Sequence, residues 1–367
     1  MSTAKLTERE RQVYELIQKN PYVSQQDLSE TLHLSRSTVA NLVSSLVQKD
    51  VLLGRAYVLN DSQQVVCVGG ANVDRKFRSL EPFQLHTSNP VQSSYSVGGV
   101  ARNIAENLGR LGYNPSLITA AGKDADWEII ERASSLIQLD TVLHIPSAST
   151  GTYTAVLNAE GDMTVAFADM EVYDYILPPL LSTHDKKLKQ ASCIIADLNC
   201  PKEGLYYLLQ KAQSFHVPLA FVTVSIPKMK RLPKDLSGLT WLMTNVEESA
   251  SYLGMTIETN KQWEDAVTYW LERGVSYVTV TWGEHGVMVG SAEGIELYET
   301  ATIPEVQDVT GAGDAFAAAV IYSWLEGKTL RGAIQTGLQS ATLCIQSHYT
   351  VRPDLTPQLL NAQEEKI

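Results

Sequence analysis

A short run of small residues between two aspartates is the part of the sequence best suited to chemistry. It reads D-V-T-G-A-G-D from Asp308 to Asp314 and continues into an alanine-rich segment that predicts a helix. Gly311, Ala312 and Gly313 would leave the N–H groups of the first helical turn uncovered, where the helix dipole attracts a phosphate or a developing oxyanion. A bound phosphate would repel the Asp314 carboxylate, so a carboxylate at this position needs a chemical role. The useful role is to remove a proton from an attacking hydroxyl group. We therefore predict phosphoryl transfer, with Asp314 as general base and the neighbouring amides stabilising the transferred group.

The chain from about residue 65 onward predicts the framework that positions this site. Apolar, β-branched runs alternate with helical segments, and each run ends in Gly, Asn, Asp, Thr or Ser. This alternation predicts an α/β domain with a mostly parallel sheet covered by helices on both faces, and ligands of such sheets bind at the carboxyl ends of the strands. The predicted strands are VVCVGGANVD, PSLITAAGKD, ASCIIADLN, PLAFVTVS, TWLMTNV and YVTVTWG, and the predicted helices are ARNIAENLGRLG, ADWEIIERASSL, KEGLYYLLQKAQSF and QWEDAVTYWLERG.

Two stretches, at about 77–97 and 150–169, depart from this alternation. Both alternate polar and apolar residues, and the second contains an A-E-G-D sequence suited to a hairpin turn. We predict that they form a small β-sheet outside the main one, acting as a lid over the strand ends.

The first sixty residues predict a separate all-α module, residues 1–60, ahead of the larger domain at 64–367. An apolar stripe in LTERERQVYELIQKNP indicates a first helix that ends before Pro21. Ser24 and Ser35 are suited to cap two further helices, with a turn between them at His33 and Leu34. Because LLGRAYVLN then predicts a small hairpin, the module resembles a winged helix-turn-helix DNA-binding domain.

In such a domain the third helix enters the major groove and the wing lies beside phosphate groups. The module holds seven basic and six acidic side chains, so one copy would bind DNA weakly, and we expect binding as a dimer. The alternative is a three-helix unit that packs against the main domain or a partner subunit. The residues expected to contact DNA are Ser35, Arg36, Ser37, Thr38, Asn41 and Arg55.

Two motifs in the larger domain carry a resemblance to a known family. D-x-T-G-A-G-D at 308–314 resembles the C-terminal signature of the ribokinase-like carbohydrate kinases, the PfkB family. GGVARNIAENLGRLG at 98–112 resembles the N-terminal signature of that family, and the two occur in the expected order. The resemblance covers the chain from about Val65 and implies a ribokinase-like fold, ATP and Mg²⁺ as cofactors, and a homodimer formed through the lid.

The resemblance also implies roles for individual residues. Asp74 would hold a sugar diol by charge-assisted hydrogen bonds, and Glu248 in T-N-V-E-E would organise hydrated magnesium. Asp308 and the Thr310 carbonyl would hold a potassium ion behind the anion-binding turn. Substrate contacts are implied for Asn72, Asp74, Gly98, Gly99, Asn103, Tyr153, Thr154, Ser225 and Lys228, and nucleotide contacts for Asn245, Thr281, Gly283 and Gly286.

Within the family, the 98–112 block, the lid stretch GTYTAVLNAEGDMTVAFADM and the end HYTVRPDL most resemble pseudouridine kinases. These enzymes phosphorylate the 5′-hydroxyl of a C-linked nucleoside. Many relatives carry an acidic residue just ahead of the serine in TVSIPK, whereas this chain has Val222 and Thr223. Another nucleoside such as inosine, or a free sugar, therefore stays open, as does a transcription regulator that uses the kinase fold as a ligand sensor.

Composition narrows the class of protein. The four cysteines are scattered without a C-x-x-C pair, which argues against both a disulfide framework and a zinc site. The formal charge is −12 for the whole chain and −13 beyond residue 60, so the larger domain is not expected to bind nucleic acid. No apolar run reaches the roughly 18 residues of a membrane helix, and we expect a cytoplasmic protein.

Overall fold

The computed structural model describes residues 6–49, 51–52, 63–300 and 306–361. The chain divides into two compact units, Met1–Gln63 and Gln64–Ile367. No helix in the described ranges is both long enough and apolar enough to cross a membrane.

The first unit is a bundle of three helices, Glu8–Lys19 (α1), Gln25–Leu32 (α2) and Arg36–Gln48 (α3). The predicted caps are confirmed, because the side chains of Ser24 and Ser35 accept the backbone N–H groups of Asp27 and Thr38. His33 adopts a left-handed conformation in the predicted turn. The apolar stripes of the three helices meet in one core. Beyond Leu52, the predicted wing with its Arg55 lies outside the described residues.

A buried acid ties the first helix to the third. The Glu10 carboxylate accepts hydrogen bonds from Lys49 Nζ at 2.6 Å and from the Ser45 hydroxyl at 2.6 Å. These bonds, that from Lys49 foremost, lower the pKa of Glu10 to about 2. The carboxylate therefore stays ionised and fixes the N-terminal end of α1 against the C-terminal end of α3.

The second unit alternates strands and helices. Its strands are Gln64–Val68 (β1), Asn72–Ser79 (β2), Val91–Gly98 (β3), Asn114–Ile118 (β4), Ala120–Ala121 (β5), Leu143–His144 (β6), Thr152–Leu157 (β7), Met163–Asp169 (β8), Cys193–Asp197 (β9), Leu219–Val222 (β10), Trp241–Asn245 (β11), Tyr277–Thr281 (β12), Val287–Ser291 (β13) and Gly294–Tyr298 (β14). Its helices are Val100–Arg110 (α4), Ala125–Ala133 (α5), Pro178–Ser182 (α6), Asp185–Gln190 (α7), Lys202–Phe215 (α8), Val246–Leu253 (α9), Asn260–Glu272 (α10), Ala312–Leu325 (α11), Leu330–Ile345 (α12) and Pro357–Asn361 (α13).

The main sheet has the order β14-β13-β12-β11-β10-β9-β1-β4 in the described part of the chain. The strands from β12 to β4 run parallel, as predicted, and β13 and β14 add an antiparallel hairpin at one edge that the sequence analysis did not predict. Val66 and Val68 point into one core, and Val65 and Cys67 point into another on the opposite face. Burial on both faces explains the continuous apolar runs of these strands.

The lid is a second sheet with the order β3-β2-β7-β8. The predicted stretches contain three of its strands, but the predicted start of the lid at residue 77 is wrong. Strand β2 begins at Asn72, which pairs with Gly98 of β3, and Val73 already pairs with Thr152 of β7. Asn72 and Asp74 therefore belong to the lid itself.

Candidate active site

Helix α11 begins at the mouth of the predicted anion-binding turn. Its N-cap, Gly311, has φ +85°, and a Cβ there would overlap the Thr350 carbonyl oxygen, so the position requires glycine. By contrast, a Cβ on Gly313 would meet no described atom within 4 Å. The N–H groups of a first helical turn have no intrahelical acceptor. The N–H groups of this turn are thus uncovered by side chains, and the space beside Gly313 is open.

The carboxylate of Asp314 lies in this first turn and is 9% exposed. Its Oδ2 accepts a hydrogen bond from Asn103 Nδ2 at 2.8 Å, across the packed pair of helices α4 and α11. Burial, with smaller contributions from the negative charges of Asp197 and Asp74, raises the pKa of Asp314 to about 7, against the opposing effect of Asn103. A buried carboxylate with a pKa near neutrality is suited to accept a proton.

A second carboxylate, Asp74, lies on lid strand β2. Its Oδ1 accepts from Asn72 Nδ2 at 2.6 Å. A Cβ on Gly98 would overlap its Oδ2, so the carboxylate lies directly against the Gly98 backbone. Burial raises the pKa of Asp74 to about 6. The neighbouring Gly99 has φ +99°, and a side chain there would overlap the Gly70 carbonyl. These four predicted substrate residues therefore form one cluster at the base of the lid.

Asp197, at the carboxyl end of β9, is a buried residue that sequence reasoning missed. Its Oδ2 accepts the N–H groups of Gly70 and Ala101, each at 2.9 Å, and its Oδ1 accepts the N–H of Asn199 at 2.7 Å. Asp197 thereby joins the turn after β1 to the first turn of α4. The signal available was its place as an acid ending an apolar strand, where ligands of parallel sheets bind.

The lid register separates two predicted substrate contacts. Tyr153 lies opposite Asp74, and Thr154 lies opposite Arg75. Because successive residues of a strand point to opposite faces, only Tyr153 shares the face of Asp74. Thr154 lies on the other face of the strand, and its contact with the substrate stays a prediction.

The N-x-x-E motif forms a helix cap at the start of α9. Asn245 Oδ1 accepts the Glu248 N–H at 2.8 Å, and the Glu248 carboxylate accepts the Asn245 N–H at 3.3 Å. Glu248 also accepts from the Thr223 hydroxyl, and burial raises the pKa of Glu248. Thr223 is thus a partner of Glu248. The Glu248 carboxylate, in the first turn of α9, is suited to hold the predicted magnesium through the water ligands of the ion.

The other predicted nucleotide residues lie beside this cap. Thr281 pairs with Asn245 at the carboxyl ends of β12 and β11. Gly283 and Gly286, in the loop that follows, have φ values of +48° and +100°. A side chain on Gly286 would overlap the Tyr298 carbonyl. The loop therefore turns tightly next to the cap. Its backbone lies at the carboxyl ends of the strands, where ligands of parallel sheets bind.

Ser225 and Lys228 lie after β10, where Ser225 precedes a 3-10 helix, Ile226–Arg231. The Lys228 N–H donates to the Ser225 carbonyl at 3.0 Å. Burial, followed by repulsion from Arg231, lowers the pKa of Lys228, whose charge also interacts with that of Asp197. The two residues thus lie beyond the carboxyl end of β10, the strand that pairs with β9.

The residues predicted to hold potassium are already engaged by protein groups. Asp308 Oδ1 accepts the Thr310 N–H at 2.9 Å and the Thr310 hydroxyl at 2.6 Å, and its Oδ2 accepts from Lys76 Nζ at 3.1 Å. Cys344 Sγ lies 3.7 Å from the Thr310 carbonyl. Within the described ranges, no group of three or more His, Cys, Asp or Glu side chains is arranged to hold a metal ion. Potassium ions also bind backbone carbonyl oxygens, so the potassium site stays a prediction.

In the first unit, the described residues predicted to contact DNA lie on the exposed start of α3. The Ser35 hydroxyl lies 2.9 Å from that of Ser37 and 2.8 Å from that of Thr38. Arg36 contacts the side chain of Gln26 on α2. The second helix therefore orients the one guanidinium group of this helix.

Comparison with known proteins agrees with both units. A family model described as pfkB family carbohydrate kinase matches residues 62–357, and one described as winged helix-turn-helix DNA-binding matches residues 6–52. The uncharacterized sugar kinase YeiI of Escherichia coli (strain K12) is 27% identical over 353 residues, which cover 96% of this chain and 97% of that protein.

The pseudouridine kinase of the same organism is 27% identical over 300 residues, covering 81% of this chain and 95% of that protein. Among solved structures, Arabidopsis thaliana ribokinase complexed with ribose and ATP superposes with a TM-score of 0.73. It is 23% identical and covers 81% of this chain and 98% of that one. The mostly parallel sheet and its lid are therefore those of the ribokinase-like fold.

Proposed function

The chain belongs to the pfkB family of carbohydrate kinases, and on this premise we propose that it transfers a phosphoryl group from ATP to the 5′-hydroxyl of a nucleoside, with pseudouridine as the preferred acceptor. Family membership makes the chain a phosphotransferase with a hydroxyl group as acceptor. The observation that carries the proposal is Asp314, a buried carboxylate held by Asn103 in the first turn of a helix whose opening is bare.

Each part of this site has a role in the proposed phosphoryl transfer. Asn72 and Asp74 bind the ribose diol, which brings the 5′-hydroxyl to Asp314. Asp314 takes the hydroxyl proton as the oxygen forms a bond to the γ-phosphorus and the bond from that phosphorus to the leaving oxygen of ADP breaks. The N–H groups of Ala312 and Gly313 stabilise the negative charge on the transferred group. Hydrated magnesium organised by Glu248 would neutralise charge on the phosphates.

The lid favours a nucleoside over a free sugar. Tyr153 lies on the face of Asp74 and remains partly exposed. An aromatic ring at this position offers a surface on which a base can stack, at about 1–3 kcal/mol per base in protein–nucleic acid contacts. A free pentose or ketose would leave this ring without a partner. Resemblance to the pseudouridine kinase of E. coli supports a C-linked nucleoside.

A panel of acceptors tests the proposal. Purified protein with Mg·ATP is mixed with pseudouridine, uridine, inosine, ribose and fructose, and ADP release is measured. We expect pseudouridine to give the highest kcat/KM and ³¹P NMR of its product to show a 5′-monophosphate. A higher kcat/KM for ribose or fructose would refute the nucleoside assignment, and the absence of stimulation by every acceptor would refute the kinase activity on this substrate class.

The first unit supports a second role as a DNA-binding regulatory module. Its α2–turn–α3 arrangement presents Ser35, Arg36, Ser37, Thr38 and Asn41 on an exposed helix start, and the matching family model is of a DNA-binding domain. Titration of the full chain onto DNA from around its own promoter should give binding that weakens as salt rises, and that changes when the nucleoside is added. Equal affinity for promoter DNA and for unrelated DNA would contradict the regulatory role.

The outer face of the lid supports a homodimer. Tyr95 pairs with Arg75 and Phe167 pairs with Thr154, so both rings lie on the face opposite Asp74, where they are 68% and 61% exposed. An apolar surface of this kind favours burial against a second copy. Sedimentation should give a dimer for the native chain and a monomer for Phe167→Asp, with Arg78→Asp as a matched control on the inner face that remains dimeric.

A further inference from the structure

A buried arginine lies beside the residue that holds Asp314. Arg102 directly precedes Asn103 in the first turn of α4, and its side chain is only 4% exposed. Arginine is almost never fully buried unless its charge is paired. The proposed phosphoryl transfer gives this guanidinium group no direct role, so its position requires another explanation.

Each nitrogen of the Arg102 guanidinium group is hydrogen-bonded. Its Nε donates to the Ser134 hydroxyl at 3.3 Å, and its Nη2 donates to the Ala133 carbonyl at 3.2 Å. The same Nη2 pairs with the carboxylate of Glu106, one turn further along α4. These contacts fix the plane of the group, and its Nη1 then donates to Asn103 Oδ1 at 3.3 Å.

The Asn103 amide joins Arg102 to Asp314. A guanidinium group only donates hydrogen bonds, and an ionised carboxylate only accepts them. An amide between the two satisfies both in one orientation alone, with its oxygen toward Arg102 and its nitrogen toward Asp314. The observed contacts, at 3.3 Å and 2.8 Å, have this orientation. Arg102 thus excludes the flipped amide, whose oxygen would face the carboxylate.

The orientation of this amide decides which form of Asp314 is favoured. An amide N–H stabilises the ionised carboxylate, whereas an amide oxygen would accept a hydrogen bond from the protonated acid. The charged groups acting on Asp314 are the carboxylates of Asp197 and Asp74. The charge of Arg102 interacts with those of Glu106 and Asp74. Its influence on Asp314 therefore passes through the intervening amide.

We infer that Arg102 is a positioning residue for the general base, acting through Asn103, whose amide it holds in the orientation that donates to Asp314. The inference rests on the proposed kinase function, in which Asp314 is the proton acceptor. Arg102 is buried and is separated from Asp314 by one side chain. Its loss should therefore change the proton acceptor and leave the binding of Mg·ATP unchanged.

Titration of Asp314 tests the inference without any acceptor substrate. The full chain is labelled with ¹³C at its aspartate carboxyl groups, and the Asp314 resonance is identified by its loss in Asp314→Asn. Arg102→Met should raise the pKa read from this resonance by about half a pH unit to one pH unit, because the amide is then free to turn toward the protonated acid. The kcat/KM limb should move to higher pH by the same amount, with Kd for Mg·ATP within about twofold of the native value.

Arg110→Met is the matched control. Arg110 lies on the same helix and pairs with the same Glu106 carboxylate at 2.6 Å, but it also donates to the Pro353 carbonyl, away from Asn103. Its loss removes a cation from the same ion-pair network and should leave the pKa of Asp314 within about 0.2 pH unit of the native value. A rise as large as that in Arg102→Met would overturn the inference.

A double variant shows whether Arg102 acts through Asn103. In an Asn103→Leu background the amide is absent, so adding Arg102→Met should change the pKa of Asp314 by less than about 0.3 pH unit. Equal rises in the native and Asn103→Leu backgrounds would mean that the charge or the packing of Arg102 acts without the amide. That result would overturn the inference, as would an unchanged pKa in Arg102→Met.

The ion-pair network provides a second variant. Arg102→Met leaves Glu106 paired with Arg110. If this variant does not fold, Arg102→Met combined with Glu106→Leu removes the whole buried pair, which often costs little stability, and the same rise in the pKa of Asp314 is expected. Failure of the kinase proposal is distinguishable, because it would appear as absent turnover with every acceptor while the NMR differences among the variants persist.

Discussion

Asn103 donates a hydrogen bond of 2.8 Å from its Nδ2 to Oδ2 of Asp314. The two residues belong to motifs at opposite ends of the domain, on α4 and α11. The contact fixes the orientation of the buried carboxylate, and it favours the ionised form that accepts a proton. Asn103 therefore acts on the base, in addition to its predicted contact with the sugar.

Loss of this hydrogen bond should change the pH dependence of turnover. The ionised form of Asp314 is the base, so kcat/KM of the native chain should rise with pH through about 7, the pKa that burial produces, and level off above it. Asn103→Leu removes an interaction that lowers the pKa and should move this limb up by about one pH unit. Asn158→Leu, at an asparagine that pairs with Asp162 in the lid turn, should leave the limb in place. An unmoved limb in Asn103→Leu would contradict the role of Asn103.

A methyl group at Gly313 should separate stability from activity. Among the described residues nothing limits a Cβ there, and alanine is favoured over glycine in a helix by about 1 kcal/mol. Gly313→Ala should therefore unfold at the same or a higher urea concentration than the native chain. If the open space receives the phosphoryl group, kcat/KM should fall by about 100-fold or more. Native activity in this variant would show that the transferred group lies elsewhere.

Glu248 and Glu247 form a matched pair on the first turn of α9. Glu248 is buried and accepts from Thr223, whereas Glu247 is exposed. Glu248→Gln keeps a cap acceptor but loses the charge, so the Mg²⁺ concentration for half-maximal activity should rise by about tenfold. The thermal midpoint should change little, and Glu247→Gln should behave as the native chain. An unchanged Mg²⁺ requirement in Glu248→Gln would leave Glu248 with only the capping role.

Neighbouring residues of β7 test the nucleoside assignment. Tyr153→Ala should lower kcat/KM for pseudouridine by about tenfold or more through lost stacking, with little change for ribose. Thr154→Ala, on the opposite face of the same strand, should affect neither acceptor. Equal losses for pseudouridine and ribose in Tyr153→Ala would indicate that the ring orders the lid and does not contact a base.

The framework of this domain is readable from the sequence because its determinants are local. Strands such as β1 and β9 are buried on both faces, so their apolar, β-branched composition identifies them without knowledge of their partners. Helix caps at Ser24 and Ser35 depend on contacts three residues away. The Asn245–Glu248 cap is equally local, since the N-x-x-E spacing is that of a capping box as well as of the ligand motif.

The details of the site depend on contacts distant in sequence. The partners of Asp197 lie on a turn and a helix from other parts of the chain, and the pair of Lys76 and Asp308 joins a lid strand to the start of α11. Nothing in the residues around either acid specifies these partners. By contrast, the sequence alone predicts that Tyr153 and Thr154 lie on opposite faces of the lid, because adjacent residues of a strand point to opposite faces.

The proton acceptor is the centre of this account, and Asp314→Asn tests it most directly. Single-turnover formation of nucleoside 5′-phosphate and calorimetric binding of Mg·ATP are to be measured on the native chain and on this variant. We predict that the variant binds Mg·ATP within about threefold of the native chain and forms product at least about 1,000-fold more slowly. Native-like product formation in a variant that binds the nucleotide would contradict the assignment of Asp314 as the base.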